Sequence, residues 1–134
     1  MNKFAALRFG TMVFLMTSLM AFYACSLNTS QDTSSSTSAA IVTCPTTSVT
    51  EVSISNYSFQ PQNLTIAVND IVKWTNSDSV AHTVTSGSGA SKDGKFDSGT
   101  LTTNSTVCVQ FFQAGTYPYF CNIHTYMTGV VTVQ

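Results

Sequence analysis

The chain has 134 residues, only 8% of them charged, and a formal net charge of −1. Beyond Cys25 the positive residues are Lys73, Lys92 and Lys95, set against Asp32, Glu51, Asp70, Asp78, Asp93 and Asp97. With no basic cluster anywhere, the chain lacks the electrostatic footprint of a nucleic-acid-binding protein.

Residues 1–24 read as an export signal. Lys3 and Arg8 supply a positive start, and Thr11 to Ala24 is an apolar run too short for a membrane span. The segment ends in Phe22-Tyr23-Ala24-Cys25-Ser26. A small residue just before a cysteine resembles the bacterial lipobox, which implies lipidation of Cys25 and a membrane-anchored lipoprotein on the periplasmic or cell-surface side. Simple signal cleavage and a retained anchor are the alternatives.

Residues 25–48 are mostly Ser, Thr, Ala and Asn. So little apolar surface cannot offset the entropy of ordering, and the stretch reads as a flexible tether. Residues 49–134 then form one small domain. At that size core area alone gives marginal stability, so a metal or a disulfide would matter.

Within the domain the hydrophobic period is two. Alternation runs through Glu51–Ser55, Leu64–Val68, Val72–Thr75, Thr106–Phe111, Thr116–Phe120 and Val130–Val133. Turn residues separate these runs at Pro61-Gln62-Asn63, Asn69-Asp70, Asn76 to Ser79 and Ala114-Gly115. Short strands spaced by turns predict an antiparallel β-sandwich. Ser86 to Leu101 is polar and glycine-containing and reads as a long excursion, with Phe96 anchoring it on the sandwich.

Four residues carry the chemistry. The C-terminal block Cys121-Asn122-Ile123-His124-Thr125-Tyr126-Met127 has the pattern Cys-x2-His-x2-Met, and the other histidine of the chain, His82, lies 39 residues before Cys121. Met127 is the one methionine beyond the signal segment. On a helix, spacings of three and six residues would drift around the axis. A tight loop between the strand ending at Phe120 and the strand starting at Val130 can wrap all three side chains about one point. A thiolate, two imidazoles and a weak thioether suit copper in both oxidation states, whereas structural zinc wants four strong ligands. Taken singly, His82 fits a turn or core histidine, Cys121 a buried thiol or one half of a disulfide, and Met127 core filling. Only their joint placement favours a metal site.

The block resembles the cupredoxins, and its short spacing is most similar to that of amicyanins, since plastocyanins have a longer gap before the methionine. The resemblance runs from Val52 to Val133 and includes Phe59-Gln60-Pro61, Ile71 to Asn76, His82-Thr83-Val84, Phe96 to Gly99 and Ala114 to Tyr117. Where the family often has Pro before the first histidine and Asn after it, this chain has Ala81 and Thr83. The resemblance implies an all-β Greek-key sandwich holding one copper ion, with His82, Cys121 and His124 as strong ligands and Met127 as the axial one. Thr83 can offer its N–H to the Cys121 sulfur and its hydroxyl to a loop carbonyl. The implied function is an extracytoplasmic one-electron carrier, monomeric, meeting redox partners at the His124 edge, with Ile123, Tyr126 and Phe59 or Pro61 around it. The alternatives are copper delivery or buffering on the same ligands, and a purely structural exported sandwich. An oxidase or nitrite reductase needs a second, histidine-rich copper site that two histidines cannot build, so the chain reads as a non-enzyme.

Two cysteines remain after Cys25 and Cys121. Export permits disulfides, and Cys44 and Cys108 are expected to pair, with two free thiols as the alternative.

Overall fold

The computed structural model describes residues 37–134. The export segment, Cys25 and the first part of the tether lie outside them. The described residues contain ten strands and no helix. They are β1 (Ala39–Val42), β2 (Val49–Ser55), β3 (Ser58–Gln60), β4 (Asn63–Ile66), β5 (Ile71–Asn76), β6 (Thr85–Ser88), β7 (Ser91–Asp97), β8 (Thr106–Phe111), β9 (Gly115–Phe120) and β10 (Thr128–Val133).

Two five-stranded sheets form the sandwich, in the orders β1-β8-β5-β2-β3 and β4-β10-β9-β6-β7. The all-β sandwich expected from the sequence is what the chain forms. Most pairings are antiparallel, but β2 runs parallel to β5 and β4 parallel to β10. Alternation explains which side faces in. In β5, Val72, Trp74 and Asn76 are buried while Ile71, Lys73 and Thr75 are half-buried. In β10, Gly129, Val131 and Val133 point inward. The core is aromatic at its centre. Trp74 meets Tyr119 edge-on at 5.3 Å between ring centroids, and Phe59 meets Tyr119 at 4.7 Å. Burial of each such large side chain contributes about 1.5–3 kcal/mol of transfer free energy. Gly129 is required where it stands, because a Cβ there would lie 2.4 Å from the Tyr119 ring.

Two expectations change. Residues 39–42, placed in the tether, form β1, which pairs with β8 from Ala39↔Phe111 to Val42↔Cys108. Four residues in a Ser/Thr-rich stretch carry too little pattern to announce a strand. They are held by the Cys44–Cys108 disulfide, whose cysteines are 64 residues apart in sequence. Cys108 is buried under that bridge on the face of β8 opposite the core residues Val107, Val109 and Phe111.

The excursion after Ser86 is largely the β6–β7 hairpin. Its turn, Gly89-Ala90, has positive φ at both residues, as a tight hairpin turn requires. All of β7 except Phe96 is exposed, so it has no alternation to read. Phe96 is the expected anchor: it is buried, 5.9 Å from the Phe111 ring and 6.3 Å from Trp74. Gly87 sits at the register shift in this hairpin, where a Cβ would strike the Ser91 carbonyl oxygen at 1.9 Å.

Candidate metal centre

His82 arrives from the loop after β5. Asn76, at the end of that strand and fully buried, shapes the loop: its side-chain amide donates to the carbonyls of Val80 (2.8 Å) and Leu101 (2.9 Å), and its side-chain oxygen accepts from the Asp78 N–H (3.0 Å). His82 and Leu101 then exchange two backbone hydrogen bonds, fixing the histidine at the rim of the sandwich. Cys121 follows directly on β9. The loop from Cys121 to Met127 closes on itself, since Cys121 N–H donates to Met127 C=O at 3.0 Å and Met127 N–H to His124 C=O at 2.9 Å.

These two loops bring three of the four expected residues to one point. The ligand atoms of His82, Cys121 and His124 all lie within 4.8 Å of one another. The two Nδ1 atoms are 3.2 Å apart, and Cys121 Sγ is 3.8 Å from His82 Nδ1 and 3.7 Å from His124 Nδ1. His82 and Cys121 are fully buried and His124 half-buried. Met127 is buried in the same closed loop.

The protonation pattern suits a metal. His82 Nε2 lies 2.8 Å from Asp78 Oδ2, which places the ring proton on Nε2 and leaves Nδ1 as a lone-pair donor facing the sulfur. Asp78 also accepts the N–H groups of Asn56 (2.7 Å) and Tyr57 (3.0 Å). Burial alone would raise its pKa, but these two backbone N–H groups and His82 outweigh burial and hold the carboxyl below its ordinary value. The sulfur receives two backbone N–H groups, from Thr83 at 3.3 Å and His124 at 3.4 Å. The Thr83 contribution is as expected. Its hydroxyl, however, accepts from Asn122 N–H at 2.7 Å rather than donating to a loop carbonyl. The geometry therefore holds soft and borderline donors, close together, largely buried and oriented, the set that fits a copper ion.

The family follows from this arrangement together with sequence kinship. Residues 15–133 match the cupredoxin-like domain. The chain belongs to the cupredoxin-like family. Amicyanin-alpha of Methylorubrum extorquens is 38% identical over 87 residues, covering 63% of this chain and 71% of that protein. Amicyanin of Paracoccus versutus is 29% identical over 83 residues, covering 62% of this chain and 63% of its own length. Among solved structures, the purple cupredoxin from Nitrosopumilus maritimus aligns with TM-score 0.59 and 31% identity, covering 63% of this chain and 99% of that one. A Cu(I) amicyanin variant aligns with TM-score 0.65 over 72% of this chain and 99% of that one, at 24% identity, which speaks for the fold alone.

Two residues of this cupredoxin's site were missed in its sequence. Asp78 reads there as one of several turn residues, and only its position four residues before His82 hints at a brace. Tyr57 carries no signal at all. In the structure its ring stands edge-on to both His82 (centroids 5.6 Å apart) and His124 (5.0 Å). Of the two alternatives expected near His124, Phe59 is instead a core residue at 2% exposure, and Pro61 is exposed. Ile123 and Tyr126 are exposed as expected, at 49% and 70%.

Proposed function

We propose that this cupredoxin is an extracytoplasmic one-electron carrier, with one copper ion held by His82, Cys121 and His124 and with Met127 as the weak axial ligand. The observation that carries the reading is the convergence of two imidazole Nδ1 atoms and one thiol sulfur within 4.8 Å at a buried point. Copper bound there supplies reversible one-electron chemistry.

The protein's part is to hold the ligands still. Asp78 fixes the His82 ring, two N–H groups fix the sulfur, and the loop hydrogen bonds fix His124 against Cys121. A site that cannot rearrange keeps the same geometry in both oxidation states, so electrons pass with little reorganisation. Full burial of His82 and Cys121 also favours retention of the metal over delivery of it.

Electrons would enter and leave at the half-buried His124, flanked by the exposed Ile123 and Tyr126. An apolar edge of this kind suits brief docking with redox partners. The Cys44–Cys108 disulfide supports an oxidising compartment. Lipidation at Cys25, with a tether of which residues 39–42 are excepted, would keep the carrier at a membrane. The domain from about residue 49, extended by β1, would act as a monomer and transform no substrate.

Adding Cu(II) to the purified protein and recording visible absorption and electron paramagnetic resonance tests this. An intense thiolate-to-copper band with narrow hyperfine splitting is expected. An ordinary weak Cu(II) spectrum would overturn the reading.

A further inference from the structure

Tyr57 occupies a position that a tyrosine fills at a cost. It is the second residue of the two-residue turn Asn56-Tyr57 that joins β2 to β3, where Ser55 faces Ser58. Both turn residues have positive φ, 50° and 57°. Turns of this type favour Asn followed by Gly, because a side chain with a Cβ is strained in the left-handed region. Asn56 obeys that rule and Tyr57 breaks it.

Strain of this sort persists only where the surroundings over-determine it, and it gathers at functional sites. The surroundings here are specific. The Asp78 carboxylate accepts the N–H groups of both turn residues and is the same carboxylate that orients His82. The turn thereby aims the Tyr57 ring at both imidazoles, at 81° to His82 and 84° to His124. Edge-on aromatic contacts of this geometry are attractive beyond simple burial. Tyr57 is itself 43% exposed, whereas His82 is fully buried. The ring therefore covers the histidine pair on the side of the β2–β3 turn, while His124 keeps its half-buried edge to solvent.

We infer that Tyr57 is a positioning residue of the metal centre, an aromatic shield that locks both imidazole rings and keeps water and small anions from the ligand cluster. The inference rests on the copper reading above for its effect on the metal, but the shielding itself is a property of the chain. Asp78 couples the two jobs: one carboxylate sets the shield and the first ligand together.

The test compares the full chain with Tyr57→Ala and Tyr57→Phe. In the metal-free protein, iodoacetamide labelling of Cys121, followed by peptide mass spectrometry, should be on the order of tenfold faster in Tyr57→Ala and unchanged in Tyr57→Phe, because opening of the cluster becomes local rather than global. In the Cu(II)-loaded protein, azide should alter the visible and paramagnetic resonance spectra of Tyr57→Ala but not of Tyr57→Phe or the parent. Parent-like labelling and azide silence in Tyr57→Ala would overturn the inference, as would an equal response from Tyr57→Phe. If the Ala variant loses its near-ultraviolet circular dichroism, Tyr57→Leu takes its place in both arms with the same expected and overturning results. Failure of the parent to bind copper would end the functional reading, and the labelling arm would still decide the role of Tyr57.

Discussion

Thr83 reaches Cys121 across 38 residues of sequence with its backbone N–H 3.3 Å from the sulfur, while its hydroxyl accepts the N–H of the next residue, Asn122, at 2.7 Å. One residue on the rim thus holds both the ligand and the loop that carries it. Its hydroxyl also meets Thr85 Oγ1 at 3.0 Å, and Thr85 donates on to Asp97, so the hold extends into the β6–β7 hairpin.

Thr83→Val keeps the shape and the N–H on sulfur but leaves the Asn122 N–H without its acceptor. Loss of this part-buried hydrogen bond costs about 0.5–1.5 kcal/mol. Chemical denaturation should show a loss in that range, and the copper-loaded variant should show a shifted reduction potential because the bonds around the sulfur tune the metal. A stability within error of the parent would mean that water replaces the hydroxyl.

Asp78 makes a stronger case, since it serves three donors. Asp78→Ala should destabilise the protein by about 1.5–3 kcal/mol, what a hydrogen bond to a charged group contributes, because of its three donors only the His82 ring is buried and the Asn56 and Tyr57 N–H groups can turn to water. It should also weaken copper binding about 10–100-fold, the usual penalty for removing the partner of a ligating histidine. Denaturation and competitive copper titration read the two effects separately. An unchanged copper affinity would show that His82 is held by its backbone pairing to Leu101 alone.

The Cys44–Cys108 bridge ties β1 to its neighbour across 64 residues. In the chain-entropy account a loop of that length is worth about 4 kcal/mol. The double variant Cys44→Ser/Cys108→Ser should lose most of that stability, and β1 amides should lose protection from hydrogen exchange before those of β5. Protection lost equally everywhere would mean that the bridge supports the whole sandwich rather than its edge.

Strands with one buried face were legible because alternation is a direct consequence of half-burial: β5 with Val72, Trp74 and Asn76 inward is the clear case. The strands that escaped had no such face. β1 is four residues long, β3 is three, and β7 buries only Phe96. The convergence of His82, Cys121 and His124 was legible because the chain has just two histidines and both stand at useful distances from one cysteine. Asp78 and Tyr57 were not, because their roles depend on the β2–β3 turn folding back onto the loop after β5, a contact over 21 residues that no local pattern records.

Asp97 links the hairpin to acid stability. Burial would raise its pKa, but Lys92 at 2.6 Å, the Gly99 N–H and the Thr85 hydroxyl outweigh burial and lower it. A carboxyl held below its unfolded value, about 3.9, adds stability that is fully present above that pH and is lost as the pH falls through the lower, folded value. Unfolding measured from pH 7 to pH 2 should therefore show a decline beginning near pH 4. Asp97→Asn should flatten part of that decline; identical slopes in the two proteins would contradict the linkage.

Tyr119 and Trp74 offer a change in the opposite direction. Their hydroxyl and indole N–H are both buried without a hydrogen-bond partner, and their rings meet edge-on at 5.3 Å. Burial pushes the Tyr119 pKa up to about 12, with the neighbouring indole opposing it only in part. Removing a buried polar atom that makes no bond relieves a desolvation cost, so Tyr119→Phe should be neutral to about 1 kcal/mol stabilising. Spectroscopic titration of the parent should show one phenolate appearing last, near pH 12, and that component should be missing in the variant. A loss of 1 kcal/mol or more would mean instead that the hydroxyl accepts the indole N–H in solution, and the Trp74 fluorescence of the variant would then shift with it.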